Sequence, residues 1–214
     1  MSFLAGKRTS LLQHRVVWQA ASLLLAYPDE HHAHRLATVD ALLSHLGGDP
    51  HALLARTAAE LRSYDLLRAA TEYVDTFDMG ACATMYLTYW TAGDTRNRGS
   101  HMLAFRQAYR DAGVNPPEGE AADYLPVVLE FAATVNPVVG RRLLVDHRVP
   151  IDVIGRALES SGSLYAHVLA AVCRTLPQAT DSEVRQAGRL AEAGPPAESV
   201  GLEPFTLTVP PRRA

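Results

Sequence analysis

Apolar residues recur three and four positions apart along most of the chain: Leu12, Val16 and Leu23; Leu36, Val39, Leu43 and Leu46; Leu164, Val168 and Val172, with Leu169 and Cys173 beside them. That spacing gathers each set on one face of an α-helix. Alternation with period two, the mark of a half-buried strand, is confined to the last stretch of the chain. The breaks at Pro28, Gly47 to Pro50, Gly113, Pro116 and Pro117, Pro150 and Pro177 all fall between periodic segments. Glycine and proline punctuate helices in this way, so the chain reads as all-α, a compact bundle of roughly nine to eleven helices joined by short loops.

Several helix ends follow from individual residues. Asp94 is placed to cap the helix carrying Met102, Phe105 and Tyr109, and Gly113 to close it. Asp123 is a candidate cap for the next helix, with Pro126 in its first turn, where a missing N–H costs little. Asn136 and Pro137 end that helix and start another. A further helix opens at Pro150 with Ile151, Ile154 and Leu158 on one side, and the last convincing pattern runs from Asp181 through Val184, Ala187 and Leu190. From Gly194 the character changes, because five of the thirteen prolines lie in GPPAESVGLEPFTLTVPPRRA. The expected organisation is a helical domain over 1–193 and a Pro-rich tail over 194–214. In that tail Phe205, Leu207 and Val209 alternate with Thr206 and Thr208, which suits either a disordered terminus or an extended piece lying along a groove of its own chain or a neighbour's.

Composition narrows the function classes. With 48% hydrophobic and 20% charged residues in 214, the chain can bury a sizeable core. A net charge of -3 gives no electrostatic footprint for nucleic acid. No apolar run is long enough to span a bilayer, and Met1 to Thr9 lacks the apolar core of a secretory signal, so a cytoplasmic location is expected. Cys82 and Cys173 lie far apart, without the spacing of a zinc or redox motif, and read as small buried residues.

Candidate chemistry is sparse. In DEHHAHR, Asp29 to Arg35, the histidines are not spaced four apart as a helical zinc pair requires, and a polar first turn after Pro28 accounts for them. Glu72, Asp75 and Asp78 share roughly one side of a helix, but without the Glu-x-x-His units of a di-iron bundle they read as a solvated face. Phosphate loops, nucleophile elbows and HExxH pairs are absent, so neither a catalytic residue nor a metal ligand is assigned. MYLTYW is different, since Met85 and Tyr89 share one side of a helix while Tyr86 and Trp90 share the adjacent one. Either all four are core, or they form a half-buried recognition surface of the kind Tyr and Trp favour.

The segment TFDMGACATMYLTYWTAGDTRNRG, the helix MLAFRQAYRDAG and the run GEAADYLPVVLEFAA together resemble the NarJ-type assembly chaperones of respiratory nitrate reductase, within the all-helical maturation chaperones of molybdenum enzymes. The likeness is densest from Tyr73 to Ala133. It implies a cytoplasmic, non-enzymatic, system-specific chaperone that binds the N-terminal segment of the apo catalytic subunit. Such a chaperone assists molybdenum cofactor insertion and complex assembly before membrane docking. It implies no stably bound cofactor, only transient contact with the molybdenum cofactor in the client complex, and cofactor delivery proteins as further partners. On this resemblance Tyr86, Tyr89, Trp90 and Phe131 form apolar walls for the client peptide. Glu120, Asp123, Tyr124 and Glu130 line the same site, the carboxylates facing basic client residues, and Asp94, Arg96 and Arg98 supply further polar contacts. Family members often carry Glu, a spacer, Pro, Asp and His where this chain has Glu120, Ala121, Ala122, Asp123 and Tyr124, which removes any role for an imidazole there. The alternative class is an all-helical transcriptional regulator, for which the segment from Thr9 to Tyr27 offers only His14 and Arg15 as basic contacts.

Overall fold

The computed structural model describes residues 2–79, 83–93, 95–116 and 118–196, with side chains from residue 10 onward. Its helices are α1 (Ser2–Leu24), α2 (His32–Leu43), α3 (Gly48–Ser63), α4 (Leu66–Tyr73), α5 (Leu87–Ala92), α6 (Arg96–Asp111), α7 (Leu125–Glu130), α8 (Pro137–Asp146), α9 (Arg148–Ser160), α10 (Ala166–Cys173) and α11 (Asp181–Ala193). Helices α4 and α7 each continue into a π-helical segment, Val74–Asp78 and Phe131–Val135. Among the described residues the sole β feature is one antiparallel bridge, Tyr86 to Tyr124. The all-α expectation therefore holds, and no described helix is long and apolar enough to cross a membrane.

Helix α1 is the element around which the others gather, touching α2, α3, α7, α10 and the π segment after α7. Val17, Trp18, Ala20, Ala21 and Leu24 are all buried on it, as is Leu25 just beyond its end. A helix with neighbours on most sides is apolar nearly all round, which blurs its periodicity. The expected stripe is accordingly displaced: Leu12 is 60% exposed, and the buried positions begin at Val17. Polar groups inside this core are paired across long sequence distances. The Trp18 indole N–H donates to the Thr175 hydroxyl at 2.8 Å, the Thr57 hydroxyl to the Leu164 carbonyl at 2.9 Å, and the Ser22 hydroxyl to the Pro126 carbonyl at 2.8 Å. Arg15 is also turned inward, its Nε–H donating to the Ala133 carbonyl at 2.7 Å, so it is not presented to a DNA backbone.

The helix ends show which local rules prevailed. Asn136 caps α8 by accepting from the Val139 N–H, Gly113 follows α6 at φ +79°, and Ile151, Ile154 and Leu158 are buried on α9. Helix α9 begins two residues before Pro150, which then sits inside its first turn, where it removes no helical hydrogen bond. Helix α11 starts at Asp181 as expected, but the capping residue is Thr180, in a reciprocal box with Glu183. Helix α6 has Thr95 in the cap position, its hydroxyl donating to the Ala92 carbonyl, while Asp94 lies outside the described residues, as do Cys82 and the tail from Ala197. After Pro28, Asp29 accepts from the His31 N–H and pairs with Arg35 at 2.9 Å. Asp75 and Asp78 are exposed. Cys173 is half-buried, its thiol 3.6 Å from Asp152, and burial pushes that thiol up to about 12.

Gly140 marks the closest approach of backbones, between α8 and the π segment before it. A Cβ there would stand 2.4 Å from both the Cα and Cβ of Ala132. Gly140→Ala is expected to lose about 1–3 kcal/mol by overpacking. Gly155→Ala on α9, where a Cβ meets only Leu169 Cβ at 3.7 Å, is expected to gain about 0.5–1 kcal/mol from helix propensity. Urea denaturation of the pair checks both signs.

Burial holds the imidazoles of His14, His32 and His147 below their ordinary value of 6.5. The unfolded chain then binds protons that the folded chain resists, so stability falls as pH drops through about 6.5 and below. The urea midpoint is expected to decrease from about pH 7.5 to about pH 5.5, and less steeply in His147→Gln.

Candidate functional site

Two segments distant in sequence meet at the Tyr86 to Tyr124 bridge. The Leu87 N–H donates to the Asp123 carbonyl at 3.1 Å and the Leu125 N–H to the Met85 carbonyl at 2.9 Å. Asp123 then does more with its side chain, which is 0% exposed. Its Oδ2 accepts from the Thr88 backbone N–H at 3.0 Å and from the Thr88 hydroxyl at 2.6 Å. Thr88 is the second residue of α5, so the carboxylate satisfies an orphan donor at that helix's N-terminus, where negative charge is favoured. The expected local cap is corrected by this geometry: Asp123 caps α5, and α7 begins after Tyr124 without a side-chain cap. Pro126 does lie in the first turn of α7.

Arg98, from the first turn of α6, completes this corner. Its guanidinium lies 4.0 Å from Asp123 Oδ2, its Nε–H points to the Thr88 hydroxyl at 3.4 Å, and its charge sits 5.4 Å and 5.9 Å from the ring centres of Tyr86 and Tyr89. Cation and rings thus form one continuous surface. Gly93 makes the turn between α5 and α6 at φ +63°, a left-handed conformation that glycine adopts without strain.

The end of the loop before α7 is fixed by hydrogen bonds to its last residues. The Tyr109 hydroxyl donates to the Ala122 carbonyl at 2.6 Å. The Tyr124 hydroxyl lies 2.6 Å from that of Tyr73, which in turn donates to the Leu25 carbonyl at 3.2 Å. With one proton on each phenol, the order is Tyr124 to Tyr73 to Leu25. Burial pushes Tyr124 up to about 12 and Tyr73 higher, so both remain neutral. At the position where the resemblance led to the expectation of an imidazole, the chain has a phenol tied to the core.

A cleft of about 370 Å³ opens beside this loop, between the end of α1 and α7. Leu23, Ala26, Pro126 and Val127 form its apolar floor with Tyr124, and Ser22, Asp29, Arg35, Glu120 and Glu130 stand around it. A second cleft of about 200 Å³, lined by Tyr109, Phe131 and Val135, shares Val127 and Glu130 with the first, so the depression continues along α7. A larger one, about 550 Å³ between α9, α10 and α11, contains none of the residues expected to bind a client peptide.

Those residues divide in two. Tyr86, Tyr89 and Tyr124 are half-buried, and Glu120 and Glu130 are exposed, all along the bridge and cleft. Trp90 is 1% exposed, Phe131 4% and Asp123 0%. Trp90 donates its indole N–H to the Thr84 carbonyl, and Phe131 packs on Tyr109 with ring centres 4.6 Å apart. Trp90 and Asp123 stand behind the wall rather than on its surface, whereas Phe131 lines the second cleft. Arg96 is exposed on the first turn of α6, and Asp94 is outside the described residues. The first third of the chain contributes Ser22, Tyr27, Asp29 and Arg35. Only the acidic start of DEHHAHR hinted at them.

Because Asp123 and Thr88 close the corner together, their substitutions should be coupled. Thr88→Val is expected to cost about 1–2 kcal/mol and Asp123→Ala about 3 kcal/mol, since one leaves and the other removes a buried charge-assisted bond. A double-mutant cycle by denaturation should return a coupling of about 1 kcal/mol or more.

The model of the nitrate reductase delta subunit family matches residues 40–171. A nitrate reductase-like protein NarX of Mycobacterium tuberculosis is 59% identical over 75% of this chain, which spans 24% of that relative's length. The probable nitrate reductase molybdenum cofactor assembly chaperone NarJ of Bacillus subtilis is 33% identical over 72% of this chain and 85% of its own. The Escherichia coli NarJ assembly chaperone is 26% identical over 76% and 70%. Among solved structures, a putative redox enzyme maturation protein from Archaeoglobus fulgidus superposes with a TM-score of 0.58 at 26% identity, covering 75% of this chain and 91% of that one. The helical order, the 83–131 corner and a family match across more than half the sequence lead to one conclusion: this chain belongs to the nitrate reductase delta subunit family.

Proposed function

We propose that the protein is a dedicated, cytoplasmic maturation chaperone of respiratory nitrate reductase. It binds the N-terminal segment of the apo catalytic subunit and holds that subunit ready for molybdenum cofactor insertion, delaying membrane docking until assembly is complete. The relatives named as nitrate reductase molybdenum cofactor assembly chaperones support the role. The observation that carries the binding mode is the cleft along α7, with its apolar floor, its tyrosine wall and the exposed carboxylates Glu120 and Glu130.

An amphipathic client helix lays its apolar side into such a groove. Burying three large side chains supplies roughly 5–9 kcal/mol gross. Ordering the peptide takes back several of those. Micromolar to high nanomolar affinity is the outcome, tight enough for recognition and loose enough for release. Tyr86, Tyr89 and Tyr124 offer contact area with a polar tip, Glu120 and Glu130 select basic client residues, and Arg98 meets a client carboxylate. The molybdenum cofactor is cargo of the client complex in this mechanism, and the chaperone contributes no redox or group-transfer step.

Charge reversal at exposed positions tests the site without disturbing the core. Glu120→Arg with Glu130→Arg is expected to weaken binding of the catalytic subunit's N-terminal peptide about tenfold, which is about 1.4 kcal/mol, with the thermal midpoint unchanged. Calorimetric titration reads the affinity. Wild-type affinity in a folded double variant sinks the groove assignment.

A further inference from the structure

The chain does not simply leave the domain after α11. Pro195 and Pro196 follow the end of that helix, and the Pro196 carbonyl lies against Gly93 so closely that a Cβ on Gly93 would stand 1.6 Å from it. Gly93 is the corner between α5 and α6. The point of departure of the tail is therefore fixed at the turn after α5, where the Gly93 N–H donates to the Tyr89 carbonyl, at one end of the tyrosine wall.

We infer that residues 197–214 dock in cis along that wall into the α7 cleft, occupying the client groove until a client displaces them. Length allows it. Phe205 lies nine positions beyond Pro196, about 30 Å of extended chain. The six residues of α5 that separate Gly93 from Tyr86 span only about 9 Å. Tyr124 is next along the wall, its ring centre 5.3 Å from that of Tyr86.

Pattern and charge agree with this direction. Phe205, Leu207 and Val209 fall on one side of an extended segment. Docked in this direction, the acidic Glu198, two positions beyond Pro196, would meet Arg98, and the basic Arg212 and Arg213 would reach the exposed carboxylates Glu120 and Glu130. The tail thus carries its acidic and basic residues in the order that the wall carries theirs, reversed in sign. A proline-rich, extended occupant makes fewer specific contacts than a helical client, so it guards the apolar floor without sealing it.

Docking and competition are tested separately in the full chain, and only the competition rests on the reading of the groove as a client site. With Phe205→benzoylphenylalanine, illumination and peptide mapping are expected to give an adduct within 83–98 or 118–131 of the same chain. Adducts elsewhere, adducts only between chains, or no adduct overturn the docking. Arg212→Glu with Arg213→Glu is expected to tighten binding of the client's N-terminal peptide about fivefold, as it would if the tail occupies the groove four-fifths of the time. Unchanged affinity overturns the competition. If neither form binds the peptide, the client reading fails while the adduct still decides where the tail lies.

Discussion

Everything at the site depends on one buried carboxylate. Asp123 reaches across from the loop before α7 to the first turn of α5, and its acceptance of both Thr88 donors binds the two segments into a single corner. A six-residue helix does not persist alone, and α5 has no cap of its own, since Tyr86 occupies the cap position and makes no side-chain bond there. The bridge on either side of Tyr86 and the Arg98 contact add to the same joint. Desolvating a charge is costly unless it is hydrogen-bonded, and because Asp123 Oδ1 is buried without a hydrogen-bond partner, the two Thr88 bonds to Oδ2 and the Arg98 contact carry all of that compensation.

That constraint explains how the aromatic surface divides. Once α5 is pinned by its first turn, Leu87 and Trp90 turn inward, and Tyr86 and Tyr89 are left straddling the boundary with their rings available. Tyr124 is held at the same boundary by a different means, its hydroxyl anchored on Tyr73 and the end of α1. The wall is held through the Tyr124 hydroxyl and through the backbone hydrogen bonds on either side of the Tyr86 bridge.

Much of the bundle was legible in the residues. Asn136 with Pro137, the Ile151, Ile154 and Leu158 face, and Gly113 obey local rules, and local rules survive folding. The departures share a cause. Helix α1 has neighbours on most sides, so its pattern names no single buried face. Asp123 stands where a local cap belongs, but its partner is thirty-five positions away. Trp90 has the composition of an interface residue and the burial of a core one, and only the placement of α5 decides between them. The contribution of Ser22 and Tyr27 was invisible because nothing in their own neighbourhood announces that α7 will lie beside them.

The remote cap also orders the protein in time. As the chain emerges from the ribosome, residues 86 to 92 appear long before Asp123, and they have no means of closing into a helix by themselves. The N-terminal helix likewise waits for α7 and α10 to cover it. A nascent copy therefore exposes its tyrosines without arranging them until synthesis has passed Asp123.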